Sequence, residues 1–413
     1  MIYRYNPFIQ NVTGDFGNLV TSVFLNSIGK PASDALIRVY DQTNSLLIEE
    51  TKTDSSGQIP PITLPAPPIE YSMSPDMPRP FNQYNVSVYL PGYVEANIIN
   101  VQIYPETTAI QEVILKPTYD SIFIPYPVLW GDFPPKIPES EVKKLPFPSN
   151  LVVLPKPVVP SIVIVHDGAP SDNTVANYTV GFKDYIKNVA CSEIYATWPR
   201  ESIRANVLAM ISFTLNRVYT EWYRSKGYDF TITSSTAYDQ AFNYGRNIFK
   251  EVSDIVDEVF TTYITRPGLD QPLFTQYSDG REVVREGWLS QWGSKDLGDS
   301  GYTALQILKN YYGSDIILRQ AEKVEGIPMS FPGQTLVIGS RGDSVRAIQE
   351  QLNAISNNFP AIPKVIVDGI YGDATATAVK KFQEIFKMPI TGEVNFPTWY
   401  RISSVYTAVK NLA

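Results

Sequence analysis

Eleven prolines fall between Pro117 and Pro160, out of 33 in the 413-residue chain. Proline fixes φ, offers no backbone N–H and pushes its predecessor towards extended geometry. Regular helix and central strand are therefore excluded there, and residues 117–160 read as an extended Pro-rich linker. At about 150 residues per domain the length suggests two to four domains, with three as the central value. The linker divides the chain, and the hydrophobic periodicity differs on its two sides.

Before it, strand-like runs alternate with turn residues: Ala35–Tyr40, Leu46–Thr51, Tyr84–Leu90 and Thr108–Leu115, with turns at Thr53-Asp-Ser-Ser-Gly57 and Pro91-Gly92. This spacing predicts a β-sandwich within residues 1–116. After the linker the period becomes helical. Pro199 to Tyr223 carries Ile203, Val207, Leu208, Met210, Ile211, Leu215 and Val218 near the spacing of a buried helix face. Ser234 to Tyr263 reads as a second helical region, with Phe249, Val252, Ile255, Val256, Val259 and Phe260 as its apolar face, and Thr303 to Tyr311 as a third. In residues 331–413, Gly339-Ser-Arg-Gly-Asp343 feeds the helix Val345–Leu352 and Val367–Thr375 feeds Ala376–Phe386. Thr398-Trp399 opens another helix. The expected fold is multidomain α+β: an N-terminal β-sandwich, a mixed, mainly helical domain over residues 161–330, and a C-terminal three-helix module.

Scarcity limits the chemistry. One Cys (Cys191) and one His (His166) allow no intramolecular disulfide and no zinc site built from several Cys and His ligands. Neither a metal nor a cofactor is expected, and carboxylates and hydroxyls are left to act. Lys+Arg 34 against Asp+Glu 42 gives a net charge of −8, without the electrostatic footprint of a nucleic-acid binder. No apolar stretch is long enough for a transmembrane helix, so no membrane partner is expected. Met1 to Gln10 contains no continuous apolar core of a secretory signal.

Three resemblances follow from quoted residues. Gly29-Lys-Pro31, Ala35–Tyr40 and Thr53–Gly57 resemble a transthyretin-like, carboxypeptidase-regulatory-type sandwich. The C-terminal unit resembles the peptidoglycan-binding three-helix family through Gly339–Asp343, Ile348-Gln349, Leu352-Asn353, Asp368-Gly-Ile-Tyr-Gly372, Phe382-Gln383, Thr391-Gly392 and Thr398-Trp399. This implies bacterial cell-wall binding, with Asp368 and Tyr371 as candidate contacts. The middle unit resembles the SpoIID family of lytic transglycosylases. The resemblance rests on Ser192-Glu-Ile-Tyr-Ala-Thr-Trp-Pro199, Ser235-Thr-Ala-Tyr-Asp-Gln240, Gly287-Trp-Leu-Ser-Gln-Trp-Gly293 and Ile307-Leu-Lys-Asn-Tyr-Tyr312. It implies Glu193 as the catalytic acid and base, and Gln240, Trp288, Ser290, Gln291 and Trp292 as substrate-binding residues.

The order of units is similar to that of the clostridial germination-specific spore cortex-lytic enzymes. That similarity implies cleavage of MurNAc–GlcNAc bonds of spore cortex to 1,6-anhydro products, in the cortex or coat region, by a proenzyme activated by a germination protease. The expected cleavage region is Ser149, Asn150, Leu151 and Val152, within an exposed, Pro-bounded segment. Two alternatives stand beside this reading. One is a non-catalytic wall-binding protein, since Ile211 and Ser278-Asp-Gly280 depart from the SpoIID pattern. The other is a conventional muramidase or glucosaminidase.

Overall fold

The structure is a computed structural model that describes residues 14–116, 121–131, 134, 156–326 and 329–410. The N-terminal unit is built from β1 (Asp15–Leu25), β2 (Leu36–Asp41), β3 (Leu47–Lys52), β4 (Ile62–Ala66), β5 (Asn82–Tyr89), β6 (Ala96–Ile103), β7 (Thr108–Leu115) and β8 (Ile122–Phe123). One sheet runs β3-β2-β5-β6-β8; the other runs Ile248–Phe249, β7, β1, β4. Alternate residues of β7 point inward, and Leu19, Val23, Ile37, Val39, Val86, Ile98 and Val113 form the layer between the sheets. This is the sandwich expected from residues 1–116. Its fourth strand in the β1 sheet is borrowed: Ile248 pairs with Ile110 and Phe249 with Ala109, both on β7.

The described part of the Pro-rich stretch departs from an extended spacer. Between the prolines lie apolar residues with somewhere to go. Ile122 and Phe123 add a parallel edge to β6, and Ile124, Leu129 and Trp130 are buried. Val128 N–H donates to the Ser192 carbonyl at 2.8 Å, tying this piece to the middle unit. Ser149, Asn150, Leu151 and Val152 lie outside the described residues.

The middle unit surrounds α2 (Arg200–Tyr219), which packs against α1 (Phe182–Glu193), α3 (Lys250–Val259), α4 (Gln291–Asp299) and α5 (Ala304–Tyr312). Helix α2 is buried around almost its whole circumference, as a central helix must be. Thr303 caps α5 in a capping box with Gln306, one residue from the expected boundary. The helix expected from Ser234 is shorter than its pattern: only Lys250–Val259 is helical. Polar side chains explain the loss. Asp239, Gln240 and Asn243 bond to groups on other elements, and Gly245 turns the chain at φ +76°.

The C-terminal module consists of α6 (Asp343–Ile355), α7 (Asp373–Ile385) and α8 (Phe396–Val409). One device is used twice. Gln349 on α6 receives Gly369 N–H at 2.8 Å and donates to Asp368 and the Ile370 carbonyl. Gln383 on α7 receives Gly392 N–H at 2.8 Å and donates to the Glu393 carbonyl. Each buried carboxamide staples the turn that feeds the following helix. The module leans on both other units: Phe260 meets Tyr400 edge-on at 5.0 Å, and Asn358 donates to the Gly29 carbonyl at 2.6 Å. Gly29 has to be small here, because an added Cβ would lie 2.8 Å from Val409 N.

Candidate active site

Glu193 is the last residue of α1, and the chain leaves it in extended geometry at Ile194. Only 1% of it is exposed. A buried carboxylate needs partners, and uncharged donors are among them here. Ala241 N–H donates to one oxygen at 2.8 Å, and the Gln291 carboxamide donates to the other at 3.1 Å. The Tyr277 phenol is a further partner; burial, then the Glu193 charge, hold its pKa well above 10.0, so it stays a donor.

The donor segment 239–241 is fixed from below. Asp239 is fully buried and takes Arg217 Nε at 2.8 Å, Tyr223 O–H at 2.6 Å, and both Thr233 N–H at 3.0 Å and Thr233 O–H at 2.8 Å. The Arg217 guanidinium also lies over the rings of Phe274 at 4.7 Å and Trp222 at 4.8 Å. This ion pair holds Ala241 N–H in place, and so positions Glu193 indirectly. The sequence reading passed over both residues. An Arg on the helix apolar in pattern and an Asp beside the motif Gln were the available signals.

Gln240 is fully buried, and its carboxamide is used on both sides. It donates to the Tyr277 phenol oxygen and the Met210 carbonyl, and accepts from Tyr185 and Thr214 hydroxyls at 3.0 and 2.7 Å. It therefore stands behind Tyr277 as a support, where a substrate-binding role had been expected. Gln291 sits directly on the carboxylate, and its own carbonyl oxygen has no partner among the described residues.

An aromatic cluster is built from the segment that follows Glu193 and from α4. Trp292 is 5.0 Å from Trp198 and 5.9 Å from Tyr195, and Tyr195 is 5.7 Å from Trp198. Trp288 and Ser290 face a different space, a cavity of about 560 Å³ shared with Ser278, Gly280 and Tyr311. Ser290 caps α4 by accepting Gly293 N–H at 2.9 Å. The packing is close: a Cβ on Gly280 would fall 1.7 Å from Ser290 Oγ, and one on Gly293 2.2 Å from the Tyr311 phenol oxygen. Five motif residues thus divide into Gln291 and Trp292 at the carboxylate, Trp288 and Ser290 in the neighbouring cavity, and Gln240 behind.

The remaining candidates have structural partners. Glu201 accepts Ala304 N–H at 2.7 Å and so holds the start of α5. His166 is buried against Phe230 with its ring nitrogens 2.8 Å from Asn177 Oδ1 and 3.1 Å from the Ala169 carbonyl. Cys191 is buried, and burial pushes its thiol up to about 11. Among the described residues no group of three His, Cys, Asp or Glu could hold a metal ion, and no helix is long and apolar enough to cross a membrane. In the C-terminal module Tyr371 is fully buried and its hydroxyl donates to the Gly392 carbonyl at 2.9 Å, so it serves the core rather than a surface contact. Asp368 is exposed, but accepts from Ile370 N–H and Gln349 at 2.8 and 2.9 Å.

Those turns and helices lie inside a recognised domain. Residues 341–402 match the family model described as a putative peptidoglycan binding domain. The peptidoglycan-binding domain supports cell-wall association, with peptidoglycan as the partner. A search of curated proteins finds no match. Among solved structures, the chain is similar to the SleB N-terminal domain, at 26% identity over 19% of this chain and 99% of that one, with a TM-score of 0.17. It is also similar to transthyretin from Sparus aurata, at 17% identity over 25% of this chain and 90% of that one, with a TM-score of 0.17. A 3-chlorocatechol 1,2-dioxygenase from Rhodococcus opacus 1CP is 14% identical over 27% and 59% of the two chains, with a TM-score of 0.16.

Proposed function

We propose that this chain is a peptidoglycan lytic transglycosylase of the SpoIID type, acting on spore cortex during germination and made as a proenzyme. In the order of its units it resembles the clostridial cortex-lytic enzyme SleC. The observation that carries the reading is Glu193: a buried carboxyl group that accepts from Ala241 N–H and the Gln291 carboxamide, at the start of a segment whose Tyr195 and Trp198 pack with Trp292. In this reading the Glu193 carboxyl protonates the oxygen that joins MurNAc C1 to its neighbour, and the C1–O bond breaks. The resulting carboxylate then takes the proton of the MurNAc C6 hydroxyl, whose oxygen closes on C1. Atoms balance without water, and the product carries a 1,6-anhydro ring. One carboxyl group suffices, whereas a hydrolase adds a second carboxylate or a positioned water.

The closed state of Glu193 suits a proenzyme. The sandwich is joined to the middle unit through the borrowed strand, and Arg246 and Asn247 both bond to Gln102 on β6. A germination protease that cuts the segment between the units would loosen this arrangement. Digestion of purified cortex by the intact chain and by a chain nicked at Ser149–Val152 tests the reading, with product masses recorded. The expected result is anhydro-muropeptides from the nicked chain alone, and none after Glu193→Gln. Equal activity of intact and nicked chains would defeat the proenzyme; release by the Glu193→Gln variant would defeat the catalytic assignment.

A further inference from the structure

The indole N–H of Trp198 finds its acceptor on another unit. It donates to the backbone carbonyl of Ser72, in the sandwich, at 3.0 Å. Thr197, beside it, donates its hydroxyl to Ser72 Oγ at 2.8 Å. Ser72 is fully buried and Trp198 is 3% exposed, so the contact is sealed from water. Ser72 ends a single helical turn, Ile69–Ser72, whose start is held to the sandwich by Ile69 N–H donating to Asp15 at 2.9 Å. A few residues on, Asp76 bridges to Arg281 at 3.2 Å. Arg281 follows the Ser278-Asp-Gly280 turn, and the Asp279 backbone carbonyl accepts the Trp292 backbone N–H at 3.2 Å. The loop therefore bonds Trp198 directly and reaches, through Arg281, the turn that holds the Trp292 backbone.

We infer that the sandwich loop 69–79 occupies a sugar site of the middle unit, and that Thr197 and Trp198, now satisfied by Ser72, are the donors of that site to an N-acetylated amino sugar. The inference rests on the glycan-cleaving reading above and names its binding groups. The chemistry of the occupant indicates the ligand. A peptide carbonyl and an acetamido carbonyl are the same acceptor, and the Ser72 hydroxyl stands where a sugar hydroxyl would accept from Thr197. Trp198 and Trp292, tilted 57° to each other at 5.0 Å, supply an apolar aromatic corner against which a pyranose can pack. With the loop displaced, a buried indole N–H and a hydroxyl lose their partners together, and leaving such groups unpaired is costly. A sugar restores both bonds.

Binding of an N-acetylglucosamine oligomer, read by tryptophan fluorescence, separates this from cleavage. Three full-length chains are compared: the unaltered one, one with Tyr71–Met77 replaced by a Gly-Ser turn, and Asp76→Arg, which places two cations together at Arg281 and changes only an exposed side chain. Both altered chains are expected to bind the oligomer at least tenfold more tightly than the unaltered chain. Adding Trp198→Phe to either keeps an aromatic ring, removes the donor, and is expected to return roughly tenfold of that gain. Unchanged binding in both folded variants would overturn the inference, as would binding indifferent to Trp198→Phe. Tight oligomer binding by a loop-replaced chain that never cuts peptidoglycan would keep this site and reject the activity. Cutting with no gain in oligomer binding would do the reverse.

Discussion

Two buried carboxylates at opposite ends of α1's surroundings show how burial alone fails to define a site. Asp257, on α3, sits between Lys183 and Lys187 at 3.1 and 2.9 Å. Burial opposes its charge, but the two lysines outweigh burial and hold the carboxyl well below its ordinary 3.8. Such a group stays ionised and can neither give nor hold a proton near neutrality. Glu193 is as deeply buried, yet an amide N–H, a carboxamide and a phenol surround it. The first arrangement fastens one helix to another through charge; the second directs neutral donors at the carboxyl group that ends α1. Asp239, gripped by Arg217, belongs with Asp257 even though it lies close to Glu193.

The comparison can be broken most severely at the ion pair. Arg217→Ala leaves Asp239 buried without its cation, and should cost about 3–5 kcal/mol of stability in urea unfolding. A loss below about 1 kcal/mol would mean that the pair does not anchor the 239–241 segment. Glu193→Gln should behave oppositely. The side-chain oxygen of Gln291, without a partner among the described residues, allows its amide to turn and meet the new side chain, so unfolding should shift little. Glycan cleavage by the opened enzyme should fall about 10²–10⁴-fold, the usual contribution of a general acid–base group.

Much of this architecture could be read from the residues, and the failures share a cause. Strand alternation in β7 and the Gly-bearing turns before α6 and α7 are local, so short patterns reported them faithfully. Helix α2 was equally legible, since its apolar residues recur at helical spacing. Ser234–Asn247 misled because Asp239 and Gln240 bond to α1 and α2, and no local pattern encodes such long-range bonds. The same holds for Tyr371, whose burial follows from the Gly392 carbonyl packed against it. Within the motifs, Glu193, Gln291 and Trp292 come together, while Gln240 supports them from behind. Nothing near Ser72 marked a loop of the sandwich as the cover for Trp198, because contact across units leaves no periodic trace.

Acid titration sharpens the contrast further. A carboxyl whose folded pKa is depressed contributes stability that is complete above its unfolded value near 3.8 and disappears as pH falls through the folded value. Stability measured by urea unfolding should therefore decline below about pH 4 and flatten there in Lys187→Met, which removes one of the two cations. An unaltered acid limb in that variant would contradict the assignment of Asp257. The smallest effect concerns Cys191, whose thiol is buried and pushed up to about 11. Iodoacetamide at pH 8 should leave the native chain unlabelled and label it fully in urea. Fast native labelling would show that the Cys191–Phe249 contact opens readily.

The most direct measurement is the fate of solvent oxygen. Peptidoglycan digested by the opened enzyme in heavy-oxygen water should yield 1,6-anhydro-muramic ends with no solvent oxygen, and Glu193→Gln should yield none of them. Reducing ends that carry the heavy isotope would show that water attacks C1, and would contradict a reaction run by Glu193 and the sugar's own hydroxyl.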